Sequence, residues 1–202
     1  MYRKHHSKQY QHNAHDSENR FKRPTTNRDI IIMTSATTSA NIQNLYFEYK
    51  DLTQISGEPT FSTLHYMLLQ LKANESSVPS ELGGGAHGYV GAILSPVTYA
   101  TLAPMTPFVP PVHQDDLTVP PMATQYQISL AKFQHENALQ VFNQYQLVQM
   151  ALIQQVLEAI NAKFLTRLRN RVIGQVSIDI RDLIMSLFCI YGKISANQLQ
   201  EK

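Results

Sequence analysis

Among 202 residues the sequence holds a single cysteine, Cys189. No disulfide can form within the chain, and nothing in it demands an oxidising compartment. Charge is scarce as well: Asp, Glu, Lys and Arg make up 16% of the chain, against about a quarter in ordinary globular domains. Gln, Asn, Ser and Thr fill the gap. No apolar run approaches the ~18 residues that cross a bilayer, and the amino terminus lacks the apolar core of a secretory signal. No membrane partner is expected, and the expected location is the cytoplasm, with the nucleus as the alternative. Catalytic patterns are missing too. There are no paired carboxylates at usable spacing, no His/Cys/Asp/Glu set with metal-ligand spacing and no activated nucleophile. The expectation is a protein that is not an enzyme, with no cofactor, no metal and no small-molecule substrate.

What is present is unevenly spread. The net charge of +2 conceals +5 over residues 1–28 and −3 over the remainder. The front segment also carries His5, His6, His12 and His15 and almost no aliphatic residue. Such a composition cannot bury enough surface to offset its ordering entropy. Residues 1–44 therefore read as a disordered, basic, His-rich arm followed by a Ser/Thr linker, with order beginning near Leu45.

Beyond that point the pattern is helical. Thr60 is placed to cap a helix carrying Phe61, Leu64, Leu68 and Leu71. A glycine-rich loop follows at 82–91. It lacks the lysine and flanking strand of a phosphate cradle, and no G-x-S-x-G elbow accompanies it as an esterase would require. Its glycines are expected to supply positive φ and close helix approach, leaving His87 a loop histidine. Ser95-Pro96 opens a short helix offering Val97, Tyr99, Ala100 and Leu102 for burial. Residues 104–121 contain six prolines and form an extended connector that regular structure cannot cross, expected to strap the domain surface.

From Thr124 no proline or glycine interrupts the chain up to residue 173. Leu130, Phe133, Val141, Tyr145, Val148, Leu152, Val156 and Ala159 follow the helical period, with Asn137 at a missed position. This reads as one long helix, or two broken near Gln146. Nine glutamines between Gln125 and Gln155 give an uncharged polar face, which does not repel a copy of itself.

The stretch 161–192 reads as two amphipathic helices. In the first, 162–172, Phe164, Leu165, Leu168 and Val172 share an arc flanked by Lys163, Arg167 and Arg171, with Arg169 projecting to its other side. That cationic stripe either surrounds a buried face or neutralises RNA phosphates. In the second, Ile180, Leu183, Ile184, Leu187, Phe188 and Tyr191 line one face, with Asp179 and Asp182 as a capping box and Gly192 as a left-handed stop. Cys189 is expected as a small buried hydrophobe. Ser195-Ala196-Asn197-Gln198 opens a further helix that the chain end cuts off, as in a fragment. The fold class is all-α, a helical bundle over 45–202.

Several blocks in the same order carry a resemblance. ISGEPTFSTL at 55–64, LKANESSVPSELGGGAHGYVGAILS at 71–95, TPFVPPVH at 106–113, AINAKFLTRLRNRVIG at 159–174 and LIMSLFCIYGKISANQL at 183–199 resemble the capsid region of Gag-like polyproteins of copia-type LTR retrotransposons. The resemblance implies a helical capsid-type domain that self-associates around element RNA in cytoplasmic particles. The CCHC zinc knuckle and the D-[ST]-G protease triplet of longer members are absent. The alternative reading is a nucleic-acid-binding regulatory or host-adopted protein, acting through the basic arm and the 163–171 helix.

Overall fold

A computed structural model describes residues 38–193 except Gln175 and Ser177. The basic arm and the Ser195–Gln198 capping box lie outside the described residues. The described residues are helical, without a sheet; their one bridge pairs Ile55 with Ile160 in parallel. Among the described residues six α-helices occur in order: α1 Ser39–Tyr46, α2 Phe61–Ser77, α3 Pro96–Leu102, α4 Gln125–Ala159, α5 Ala162–Leu165 and α6 Ile180–Tyr191. Short 3-10 turns lie at Leu82–Gly84, Val90–Ala92 and Thr166–Leu168.

Order starts earlier than the composition implied. Thr38 caps α1, whose Ile42 is fully buried against the domain, so helical structure precedes Leu45 by six residues. One buried isoleucine in a polar stretch was too weak a signal to reveal it. α1 packs on α4, α2 on α6, and α4 on α6. Thr60 caps α2 in a box with Thr63, and Leu64, Met67 and Leu71 form its buried face. α4 is one unbroken helix; nothing interrupts it at Gln146. Its Thr124–Gln127 capping box fixes the start.

The segment between α1 and α2 is irregular, so its backbone groups need side-chain partners. Two helices supply them. Asn74 of α2 accepts from the Tyr49 N–H at 2.7 Å and donates to the Tyr49 carbonyl at 2.9 Å. Gln155 of α4 donates to the Tyr49 and Lys50 carbonyls at 2.9 Å each, and its own Oε1 accepts from Asn74 at 2.9 Å. Gln70 accepts from the Thr53 N–H and donates to the Thr53 hydroxyl, both at 3.1 Å. The chain is thus threaded between α2 and α4 and held by amides. Gln149 and Gln155 are buried, so part of the glutamine-rich side of α4 serves the interior.

Several local expectations change at the carboxyl side. The helix expected over 162–172 ends as α5 at Leu165, tightens into the 3-10 turn, and extends from Arg169. Val172 is 92% exposed rather than on a buried arc. Ile180, Leu183, Ile184 and Leu187 do form the buried face of α6. Asp179 occupies the N-cap position but its side chain makes no cap bond; Gln149 of α4 accepts the Ile180 N–H at 3.0 Å instead. Gly192 ends the helix with φ −77°, not left-handed. Glycine is needed there for room, since a Cβ would stand 2.5 Å from the Phe188 carbonyl oxygen. Cys189 is exposed, not buried, because it lies on the outer side of α6.

The glycine loop is a fitted piece. Gly83, Gly84, Gly85 and Gly88 all have positive φ. A Cβ on Gly88 would meet the Glu75 and Val78 carbonyl oxygens at 2.5 and 2.7 Å, so the loop lies directly on the end of α2. At Gly91 the ring of Phe108 occupies the space a side chain would need. Phe108 is the residue by which the proline connector enters the core, against Tyr99 and Tyr145. Of the four α3 residues expected to be buried, only Tyr99 is; Val97, Ala100 and Leu102 face outward. Gly88→Ala is expected to lose roughly 2–3 kcal/mol through strained φ and backbone collision. Urea denaturation checks this, and an unchanged midpoint would contradict it.

Candidate functional site

Three features lie outside what the core alone requires. The first is the amino-terminal part of α4. At 1.5 Å per residue, 125–144 spans roughly 30 Å. None of its side chains is buried; burial begins at Tyr145. Yet Tyr126, Leu130 and Phe133 recur at helical spacing and are 75%, 40% and 67% exposed. Leu130 and Val148 are eighteen residues apart, about five turns at 3.6 residues each. The stripe Tyr126, Leu130, Phe133, Asn137, Val141 therefore runs in line with the buried row Val148, Leu152, Ala159. That face of the helix is exposed from Tyr126 to Asn137, half-buried at Val141 and buried from Tyr145 on. The neighbouring row Ile128, Ala131, His135, Ala138 and Phe142 is half-buried, and His113 of the connector meets Phe142 edge-on at 5.2 Å.

The second feature is the cationic stretch. Lys163 and Arg167 stand on α5 and the following 3-10 turn, whereas Arg169 is extended and Arg171 lies in the turn that the Gly174 N–H closes on the Asn170 carbonyl at 2.8 Å. All four are exposed. Lys163 Nζ sits 4.6 Å over the Phe164 ring. That ring packs edge-on against Tyr191, whose hydroxyl donates to the Phe164 carbonyl at 2.8 Å, tying the stretch to α6. The four cations stand on different local conformations, so the single helix that was expected to carry them is not retained.

The third is Glu75, fully buried near the end of α2, with neither carboxyl oxygen hydrogen-bonded. Burial holds its pKa well above the usual carboxylate value; Arg181, the Ile93 backbone amide and Lys72 oppose this more weakly. Arg181 itself is engaged, donating to the Gly91 carbonyl at 2.6 Å and, at 3.4 Å, to that of Ile93. It clamps the Val90–Ala92 turn to α6. Burial also pushes the neighbouring Tyr89 up to about 12. A shallow groove of about 510 Å³ beside α6 is lined by Leu168, Ile178, Met185, Cys189 and Ile190, with Asp182 and Ser186 among them.

Sequence reasoning missed Asn74, Glu75, Gln149 and Gln155. A signal existed: Asn74 and Glu75 continue the row Leu64, Met67, Leu71 at helical spacing, so two polar residues fall on an apolar face. His87 is a half-buried loop residue set edge-on to Tyr99 at 6.2 Å. Among the described residues no three His, Cys, Asp or Glu side chains gather as a metal would require, and no helix is long and apolar enough to cross a membrane. Comparison of the chain with family models, with curated proteins and with solved structures gives no match.

Proposed function

We propose that this chain is a structural, non-enzymatic protein that associates with copies of itself, of the capsid type seen in Gag-like polyproteins of copia-type retrotransposons. The observation that carries the self-association is the bare half of α4. Tyr126, Leu130 and Phe133, at helical spacing on its first turns, stand exposed among the described residues. Most helices in proteins draw their stability from packing of an apolar face. The surface around the stripe holds few charges, so like meets like without repulsion. The Gag assignment rests on the sequence blocks alone, and with it the cytoplasmic, particle-associated location. Light scattering on the full chain tests the reading: the mass should rise with concentration.

A second reading has its own observation. Lys163, Arg167, Arg169 and Arg171 are exposed, and no carboxylate among the described residues pairs with them. In this reading they and the basic amino-terminal arm contact RNA. Each cation that replaces a counterion on single-stranded RNA contributes about 0.7 to the slope of log affinity against log salt. Changing all four to glutamine should lower that slope by roughly 3. An unchanged slope in filter binding or anisotropy would remove this stretch from the interface.

A further inference from the structure

We infer that Glu75 and Arg181 form a proton-controlled latch on the Val90–Ala92 turn. While Glu75 carries its proton, Arg181 holds the turn by its carbonyls. When the proton leaves to water, the guanidinium turns to the carboxylate and releases the turn. The inference does not depend on the proposed self-association; it concerns how the glycine loop and the proline connector stay docked.

The geometry sets two acceptors in competition for one guanidinium. Arg181 donates to the Gly91 carbonyl at 2.6 Å and, at 3.4 Å, to the Ile93 carbonyl. Both are neutral. Glu75 lies at the foot of the same turn: its carbonyl accepts the Tyr89 N–H at 2.9 Å. Its carboxyl group is fully buried with both oxygens unpartnered. An ionised carboxylate left so is costly, and the observed arrangement therefore belongs to the protonated acid. Once ionised, Glu75 becomes the stronger acceptor. A carboxylate offers a guanidinium a charge-assisted, two-pronged contact that a peptide carbonyl cannot match. Arg181 is the cation that acts on Glu75 most strongly, and α6, which carries it, packs on α2.

Among the described residues, the other charged and titratable groups that bear on this site are Lys72, one turn earlier on α2, Tyr145 of α4, Tyr89 of the loop and Asp179 ahead of α6. Burial raises both phenols, Tyr89 to about 12, so they stay neutral while Glu75 changes charge. His87 belongs to the same loop, its carbonyl accepting the Val90 N–H at 3.2 Å; a Glu75→Gln control separates it. What the latch holds is the connector. The Phe108 ring fills the space over Gly91 and packs against Tyr99 and Tyr145 at ring separations of 5.6 and 6.4 Å. Freeing the turn loosens that seat. The turn is fully held below the pKa that Glu75 has once freed. It loosens as pH rises through the docked value, by at most about tenfold per pH unit.

Nuclear magnetic resonance on the full chain, with glutamate labelled at its carboxyl carbon, tests the latch from about pH 5 to about pH 9, a range that brackets a raised carboxylate. The Glu75 carboxyl signal should titrate above 4.5, its ordinary value. The Arg181 Nε–H and the amides of 91–94 should move with the same midpoint, and those of 152–156 should not. The Ala92 and Leu94 amides donate to the Tyr89 and Val90 carbonyls. Their hydrogen exchange should quicken by up to about tenfold per pH unit beyond the intrinsic rise, while 152–156 stay protected. In Glu75→Gln the signals of 91–94 should hold still and exchange should follow the intrinsic rate alone. Arg181→Gln should leave the Ala92 and Leu94 amides poorly protected at every pH. The latch is overturned if wild-type Glu75 shows no titration above 4.5, or if it titrates while 91–94 stay fixed. A pH dependence that survives in Glu75→Gln also overturns it. So does exchange at Ala92 and Leu94 no faster than in the α4 core, since the turn then opens only with the whole domain.

Discussion

Asn74→Ala is expected to be the most damaging single substitution described for this fold, lowering unfolding free energy by about 3–5 kcal/mol. Asn74 is fully buried and joins the Tyr49 N–H, the Tyr49 carbonyl and the Gln155 Oε1. Alanine removes three hydrogen bonds and adds a cavity. The larger effect comes from what it strands: the buried Gln155 Oε1 and the half-buried Tyr49 N–H lose their partners. Each such orphan costs about 1–3 kcal/mol. The Tyr49 carbonyl keeps its bond from Gln155, which sets the upper bound. Equilibrium denaturation in urea measures the loss. A change below about 1 kcal/mol would mean that the Tyr49–Thr53 segment is not held in this way.

The second large effect concerns pH. The folded pKa of Glu75 is raised above its ordinary value of 4.5 by burial. A raised folded pKa means that the folded state binds the proton more tightly than the unfolded chain does. The resulting stability is fully present below the unfolded value and is lost as pH rises through the folded one. Between those two values the slope for one proton reaches about 1.4 kcal/mol per pH unit at most. Lowering the pH from 8 toward 5 should therefore stabilise the domain, the opposite of the usual acid loss from paired carboxylates. Glu75→Gln should flatten this dependence and be more stable than wild type at pH 8. Melting temperature against pH for both proteins checks it. Equal slopes for the two would show that Arg181 and Lys72 keep Glu75 ionised in the folded state.

How far the fold was legible from sequence depends on which force decided each element. Where an apolar row and a cap agreed, the reading held: Thr60 into α2, Ser95-Pro96 into α3, Thr124 into α4 and the buried face of α6 all form. Where tertiary partners decide, it did not. Nothing near Asp179 announces that Gln149, thirty residues earlier, accepts the first N–H of α6. The arc through Val172 satisfies the helical period, but Arg169 leaves the helix in an extended conformation and Asn170 starts a separate turn, its side chain accepting the Val172 N–H at 2.8 Å. Cys189 was judged by residue type, whereas its position on α6, between the buried Leu187 and the half-buried Tyr191, turns it outward.

The candidate surfaces were legible in a different sense. The cations at 163–171 are plain in the sequence, but their division between a helical turn and an extended one is not. The α4 stripe was read as one continuous face, and continuity is what the helix shows. What periodicity alone could not tell was that the same face is buried from Tyr145 on, half-buried at Val141 and exposed toward Tyr126. The connector turns its Phe108 into the core and meets α4 at Phe142, beside the stripe.

The central claim is that a helix face left bare by its own domain is completed by another copy of the chain. The most direct measurement is the weight-average mass of the full chain by light scattering, followed from about 1 to about 200 µM, the range in which a small specific interface forms. The account predicts a mass that climbs from monomer toward at least dimer across that range. A mass fixed at 22.9 kDa throughout would contradict it.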